Sequence, residues 1–218
     1  MAVAQEANTD TSGRTALLAA CVLVIFLLAM TVTIANVSLP QIQGSLSATR
    51  DQVAWVVTAY LVANAVGLPA TGWLTDRFGS RRLIVWGTIG FSISTLLCAM
   101  APNLETLVLL RAMQGLFGAP VMPLSMALVM AAYPRSQHGM VTSIFGIGVT
   151  IGPIIAPWLG GILTEDYGWR SVFYFCLPFA AMACLGVIMV IPKDRPQAMR
   201  RLDLRGFIFF SVAIACFQ

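Results

Sequence analysis

Long apolar runs alternate with short polar breaks along most of the 218 residues. The apolar runs cover roughly Ala16–Leu39, Val53–Leu74, Leu83–Ala101, Leu104–Ala131, Met140–Leu163 and Ser171–Ile191. Each is about the 20 residues that a helix needs to cross a bilayer. The pattern predicts an all-α polytopic membrane protein with six spans. A seventh run opens near Gly206 and reaches Gln218 after about 13 residues, short of a crossing. The chain is therefore expected to be a fragment of a longer protein or a truncated gene product. The first run exceeds the roughly 7–15 apolar residues of a signal peptide, and the tail before it carries Glu6 and Asp10, so it reads as a span.

Composition agrees with the pattern. Hydrophobic residues are 58% and charged residues 10% of the chain, and the mean hydropathy is +0.84; soluble domains carry about 25% charged residues. The five cysteines lie in apolar runs without metal-ligand spacing, which makes them small apolar residues rather than a metal or disulfide framework. The formal net charge of +4 does not imply a nucleic-acid partner, because the arginines fall in the breaks between spans.

Those arginines set an expected orientation. Arg14, Arg77, Arg81, Arg82, Arg135, Lys193, Arg195, Arg200, Arg201 and Arg205 fall on one side of the membrane, and only Arg50 and Arg170 on the other. Cationic loops stay inside, so the N-terminus is expected in the cytoplasm of a cell with the protein in its inner or plasma membrane. The expected domains are a cytoplasmic tail at 1–14, a six-helix bundle at 15–191, a basic linker at 192–205, and the start of a seventh helix at 206–218.

The break Gly72–Arg82 carries one acid and three arginines, and it has an echo. Gly72-Trp-Leu-Thr-Asp-Arg-Phe-Gly-Ser-Arg81 aligns with Gly161-Ile-Leu-Thr-Glu-Asp-Tyr-Gly-Trp-Arg170, offset by 89 residues. Three spans separate the copies, so the second repeat is inverted in the membrane, an arrangement found in secondary transporters. Gly72 is expected to permit close helix approach, and Gly79 to adopt positive φ. Asp76 is expected to cap a facing helix or to pair with an arginine. Arg77, Arg81 and Arg82 serve either as topology anchors or as parts of a charge latch.

Chemistry inside the spans is sparse. Arg111 is the one charge well within a span, about 10 Å from the helix end. Intramembrane charges usually line a transport path; the bland alternative is a guanidinium held by backbone carbonyls or by Gln114. Asn36, Asn64 and Gln114 either contact substrate or bond between helices. The fifth run carries Gly148, Gly152 and Pro153, then Pro157, Gly160 and Gly161, a small-residue face with two prolines suited to packing and bending. Met113, Met122, Met126 and Met130 suit either a pliable pocket or plain span filling. Trp55, Trp73, Trp86 and Trp169 fall near span ends as interfacial anchors. No hydrolase, metalloprotease or phosphate-loop motif occurs, and there is one histidine. An enzyme and a cofactor are not expected.

Together these motifs resemble the major facilitator superfamily. Gly72–Arg82 resembles its signature between helices 2 and 3. Leu110-Arg111-Ala112-Met113-Gln114-Gly115 resembles its helix-4 motif. Gly148–Gly161 resembles the helix-5 motif of its drug antiporters, and Thr33-Ile34-Ala35-Asn36-Val37-Ser38-Leu39-Pro40 resembles the helix-1 motif of the fourteen-span drug:proton antiporters, the EmrB/QacA-like group. The resemblance covers about residues 15–218 and implies that superfamily's N-terminal six-helix bundle, built of two inverted three-helix repeats, plus the start of a seventh helix. It implies proton-coupled efflux of small lipophilic drugs, with Arg111 in proton transfer, the Gly72–Arg82 turn and helix 5 in gating, and room for a periplasmic adaptor protein. Two positions depart: Thr31 stands where the helix-1 motif carries an acid, and Ala156 replaces a glycine. The rival expectations are a uniporter or symporter of a small metabolite, and a truncated, non-transporting membrane interaction protein.

Overall fold

The computed structural model describes residues 11–191. The tail up to residue 10, the linker at 192–205 and the seventh-helix segment at 206–218 lie outside them. The described residues form α1 (Thr11–Val37), α2 (Leu39–Ser45), α3 (Arg50–Phe78), α4 (Ser80–Ala99), α5 (Leu104–Gly118), α6 (Val121–Ala132), a single 3-10 turn at Arg135–Gln137, α7 (His138–Tyr167) and α8 (Arg170–Val190). Among the described residues, six stretches are long and apolar enough to cross a membrane, with α5 and α6 forming one crossing over Leu104–Ala132.

Most of the spans are longer than the apolar runs alone imply. α1 begins at Thr11, so Arg14 lies inside a helix and not in a tail. The break expected over Gly72–Arg82 is helical up to Phe78, and Gly79 alone separates α3 from α4. Charged residues at an interface stay solvated while the helix continues beneath them, so polarity does not end it. What ends it is backbone conformation. Gly79 has φ 88° and ψ 153°, a region open essentially to glycine alone. Its amide donates to Thr75 O at 2.8 Å, closing α3. The fourth run breaks where Gly118-Ala119-Pro120 occurs, because Pro120 has no amide to continue the ladder. Pro69, Pro153, Pro157 and Pro178 all sit inside continuing helices.

The repeat read from the sequence is present in space. Gly168 closes α7 as Gly79 closes α3: φ is 83°, ψ 162°, and its amide donates to Thr164 O at 3.1 Å. Gly79 and Gly168 are the glycines with positive φ among the described residues, and they are 89 residues apart. Packing obeys the same symmetry: α1 lies chiefly on α7 and α8, α5 chiefly on α3 and α4, and α4 meets α8 between them. In lipid the apolar surface has no water to escape, so close packing and interhelical hydrogen bonds hold such a bundle. The core runs from Cys21, Val24, Leu27 and Met30 on α1 through Phe91 on α4 to Phe173 and Cys176 on α8.

Candidate functional site: a buried guanidinium between three helices

Close helix contact creates the site. A Cβ on Gly115 would stand 2.3 Å from Tyr60 O, so α5 meets the backbone of α3 directly. A Cβ on Gly87 would lie 2.8 Å from Phe117 O, so α4 also comes close to the backbone of α5. Arg111, one turn before Gly115, is thereby enclosed and wholly inaccessible.

Its polar atoms are distributed among the three helices. Nε donates to Val56 O on α3 at 3.1 Å. Nη1 donates to Gln114 Oε1. Gln114, also fully buried, donates through Nε2 to Thr95 Oγ1 on α4 at 2.6 Å, and Thr95 donates to Phe91 O at 2.8 Å. The guanidinium carbon lies 4.8 Å from the Tyr60 ring centroid, a cation–π contact. Nη2 has no partner among the described residues. A carboxylate is missing: Asp51, Asp76, Glu105, Glu165 and Asp166, the described acids, all stand at helix ends. Arg111 is thus a polar staple of α3, α4 and α5 whose charge no described carboxylate balances. Thr31 is buried too and donates to Leu27 O at 2.7 Å within α1.

The other amides separate. Asn64 donates Nδ2 to Gly115 O at 3.2 Å and reinforces the α3–α5 contact. Asn36 is exposed on α1. Arg111, Gln114 and Asn64 therefore belong to one neighbourhood and Asn36 does not.

The small residues of α7 face inward. Gly148 abuts Val22, Gly152 abuts Phe26 O and the Met30 amide, and Gly160 abuts Ile34, with Ala156 fully buried in the same stripe. This face packs on α1 within the bundle. Pro153 is half-buried, while Pro157, Ile147, Ile151, Ile154 and Trp158 are exposed on the other side of the helix. A Cβ on Gly72 or Gly161 would meet nothing within 4 Å, so the expectation that Gly72 allows close helix approach is not met.

At the α3–α4 turn, Arg77 stacks on Trp73 and Phe78, its guanidinium carbon 5.5 and 5.7 Å from their centroids. Arg81 Nη2 donates to Ile188 O at 3.0 Å. Asp76 is half-buried, and no side chain caps the N-terminus of α4, the helix that follows it. Trp169, expected at the interface, is instead buried edge-on to Phe173. Sequence inspection also missed a cluster at the end of α1: Ser38 Oγ lies 3.0 Å from Thr164 Oγ1, and Gln41 Nε2 donates to Thr164 O at 2.6 Å. Its one available signal was Thr164 standing in repeat register with Thr75.

The Major Facilitator Superfamily profile matches residues 21–215. The chain belongs to this superfamily. Over 197 residues it is 36% identical to the multidrug resistance protein B homolog of Mycobacterium tuberculosis, covering 90% of this chain and 36% of that protein. It is 33% identical to the multidrug export protein EmrB of Escherichia coli K12, covering 85% and 36%. It is 37% identical to the fatty acid resistance protein FarB of Neisseria gonorrhoeae, covering 90% and 39%. The chain thus spans little more than a third of the length of these curated relatives. Among solved structures, a bacterial homolog of the human lysosomal transporter Spinster, inward-facing and unoccupied, superimposes with a TM-score of 0.73 at 21% identity over 88% of this chain and 46% of that one. The fold is that of a superfamily transporter, and the chain is an integral membrane protein.

Proposed function

We propose that this chain forms the first helical bundle of a proton-coupled exporter of small lipophilic compounds. The observation that carries the reading is Arg111, a fully buried cation with an unused donor in a membrane bundle that offers it no described carboxylate. Burying an unbalanced charge costs several kcal/mol, a cost retained in membrane proteins chiefly where charge moves or binds. The names of the relatives from M. tuberculosis and E. coli, multidrug resistance and multidrug export proteins, support drugs as the substrate class. In this reading the Arg-rich α3–α4 turn faces the cytoplasm, as the inside bias of cationic loops implies. Asp76, Arg77, Arg81 and Arg82 act there as a latch, the α7 prolines bend the gate, and a second bundle from the remainder of the protein supplies the opposing wall. With Thr31 on α1, the carboxylate that exchanges the proton lies outside the described spans.

The test is energised dye efflux by the full-length protein. Efflux that an uncoupler abolishes and Arg111→Gln cripples, at normal membrane abundance, supports the reading. Efflux indifferent to the uncoupler would sink proton coupling; efflux unchanged in Arg111→Gln would remove Arg111 from the mechanism.

A further inference from the structure

α4 and α8 are the third helices of the two repeats and lie side by side, antiparallel. Three contacts mark their seam. At one end Arg81 Nη2 donates to Ile188 O at 3.0 Å. Midway, Ser92 Oγ and Cys184 Sγ are 3.4 Å apart. At the far end Arg170 Nη2 donates to Ala101 O at 2.7 Å.

The end contacts are one contact made twice. Arg81 and Arg170 each follow a positive-φ glycine by two residues, and they are 89 residues apart. The repeat image of Ile188 is Ala99, two residues before the carbonyl that Arg170 engages. Each arginine thus leaves the start of its own repeat's third helix; Arg81 reaches the last turn of α8, and Arg170 the turn just past the end of α4. Ile188 O is among the last carbonyls of α8, which have no intrahelical donor and carry the helix's partial negative charge, so a cation there both satisfies and neutralises them; Ala101 lies just past the end of α4, and there the guanidinium satisfies a carbonyl of the turn that follows the helix. A planar guanidinium suits the task better than an ammonium, since it can stack while it donates. Arg170 does both: its guanidinium carbon is 4.4 Å from the Trp169 ring centroid, and Trp169 is itself buried against Phe173. The ring and the Ala101 carbonyl together hold the guanidinium. Burial of Trp169 thus has a reason that lipid anchoring does not supply.

We propose that Arg170, seated on Trp169, is a positioning residue paired with Arg81, the two acting as matched clamps that pin α4 to α8 at opposite membrane faces. The inverted repeat places one clamp at each face, so the seam cannot splay at either end and the two repeats move as one body. That rigidity serves a transporter whose bundles rock, and to that extent alone the proposal leans on the transport reading; the clamps themselves are measured without substrate or gradient.

Spin labels introduced as non-natural amino acids into the full-length protein in lipid nanodiscs provide the test. One pair, Met100 with Tyr174, reports the Arg170 end, and another, Trp86 with Met189, the Arg81 end; all four side chains are exposed. R170A is expected to lengthen and broaden the Met100–Tyr174 distance distribution and to leave Trp86–Met189 unchanged. R81A is expected to do the reverse. R170K, which keeps the charge without the fork, is expected to broaden the first pair less than R170A. An R170A distribution matching the unsubstituted protein, or one broadened alike at both ends, would overturn the clamp. If R170A does not accumulate, R170K and R170Q make the same comparison, and a distribution unchanged in both, or broadened alike at both ends, overturns the clamp in the same way.

Discussion

Gln114 faces two ways: its carboxamide oxygen accepts from Arg111 while its nitrogen donates to Thr95 at 2.6 Å. One side chain therefore completes the Arg111 staple and ties α5 to α4. Substituting it removes one bond from each partner at once, leaving Arg111 its bond to Val56 and Thr95 its bond to Phe91. Gln114→Leu, close in size, leaves an Arg111 donor unpaired in a fully buried setting, at a cost of about 1–3 kcal/mol. A fall in thermal midpoint of the purified protein, larger than that of Asn36→Leu on the exposed face of α1, is the expected result. Equal midpoints would mean that the staple contributes no stability.

Gly79 and Gly168 make a matched prediction. Both occupy a backbone region that a Cβ disfavours, and each forced residue there costs about 1–3 kcal/mol. Gly79→Ala and Gly168→Ala are expected to lower thermal stability by similar amounts, because the two turns are images of each other. Thermal melts of both variants in one detergent check this, and a large loss in one with none in the other would break the equivalence.

Why these turns were legible, and the staple only partly so, follows from the range of the forces involved. A positive-φ glycine is a local demand, written in the residue itself. Helix count likewise follows from apolar run length, and the repeat from residues held in register. Helix ends were less visible, since Thr75, Asp76 and Arg77 read as loop while the backbone beneath them remains helical. Gln114 could be paired with Arg111 because both lie on one helix face, three residues apart. Val56 and Thr95 could not, because their nearness depends on how α3 and α4 pack against α5. The Arg170–Ala101 bond is hidden for the same reason, spanning 69 residues of chain. Gly72 shows the converse failure: a small residue permits close approach, but only the packing decides whether a neighbour takes it up.

The cluster of Ser38, Gln41 and Thr164 joins the end of α1 to the end of α7. Thr164→Val keeps the shape and removes the hydroxyl contact with Ser38, leaving the Gln41 bond to the Thr164 carbonyl in place. The loss is expected to be modest, about 1 kcal/mol for one interhelical hydrogen bond. Gln41→Ala instead removes the side-chain donor from the Thr164 carbonyl, which keeps the Gly168 amide. If the two contacts share one task, the double variant is less destabilised than the sum of the single ones, which a thermodynamic cycle on purified protein measures.

Glycines on α7 should divide sharply by the face they occupy. A Cβ at Gly152 would come within 2.9 Å of the Met30 amide nitrogen and 3.0 Å of Phe26 O, both backbone atoms that cannot turn aside. The α1–α7 contact would have to open along its length, and overpacking of this kind costs roughly 1–3 kcal/mol. Gly161, nine residues on, faces open space. Gly152→Ala is expected to reduce folded protein and thermal midpoint, whereas Gly161→Ala leaves both unchanged and gains slightly in helix propensity. Gly148→Ala should fall between them, because its nearest neighbour is the Val22 side chain at 2.7 Å, which has limited room to rotate. Fluorescence-detected size exclusion before and after a heat step orders the three variants. A Gly152→Ala protein as stable as Gly161→Ala would show that α1 and α7 are not held at the separation described, and the inward role of the α7 small-residue face would fall with it.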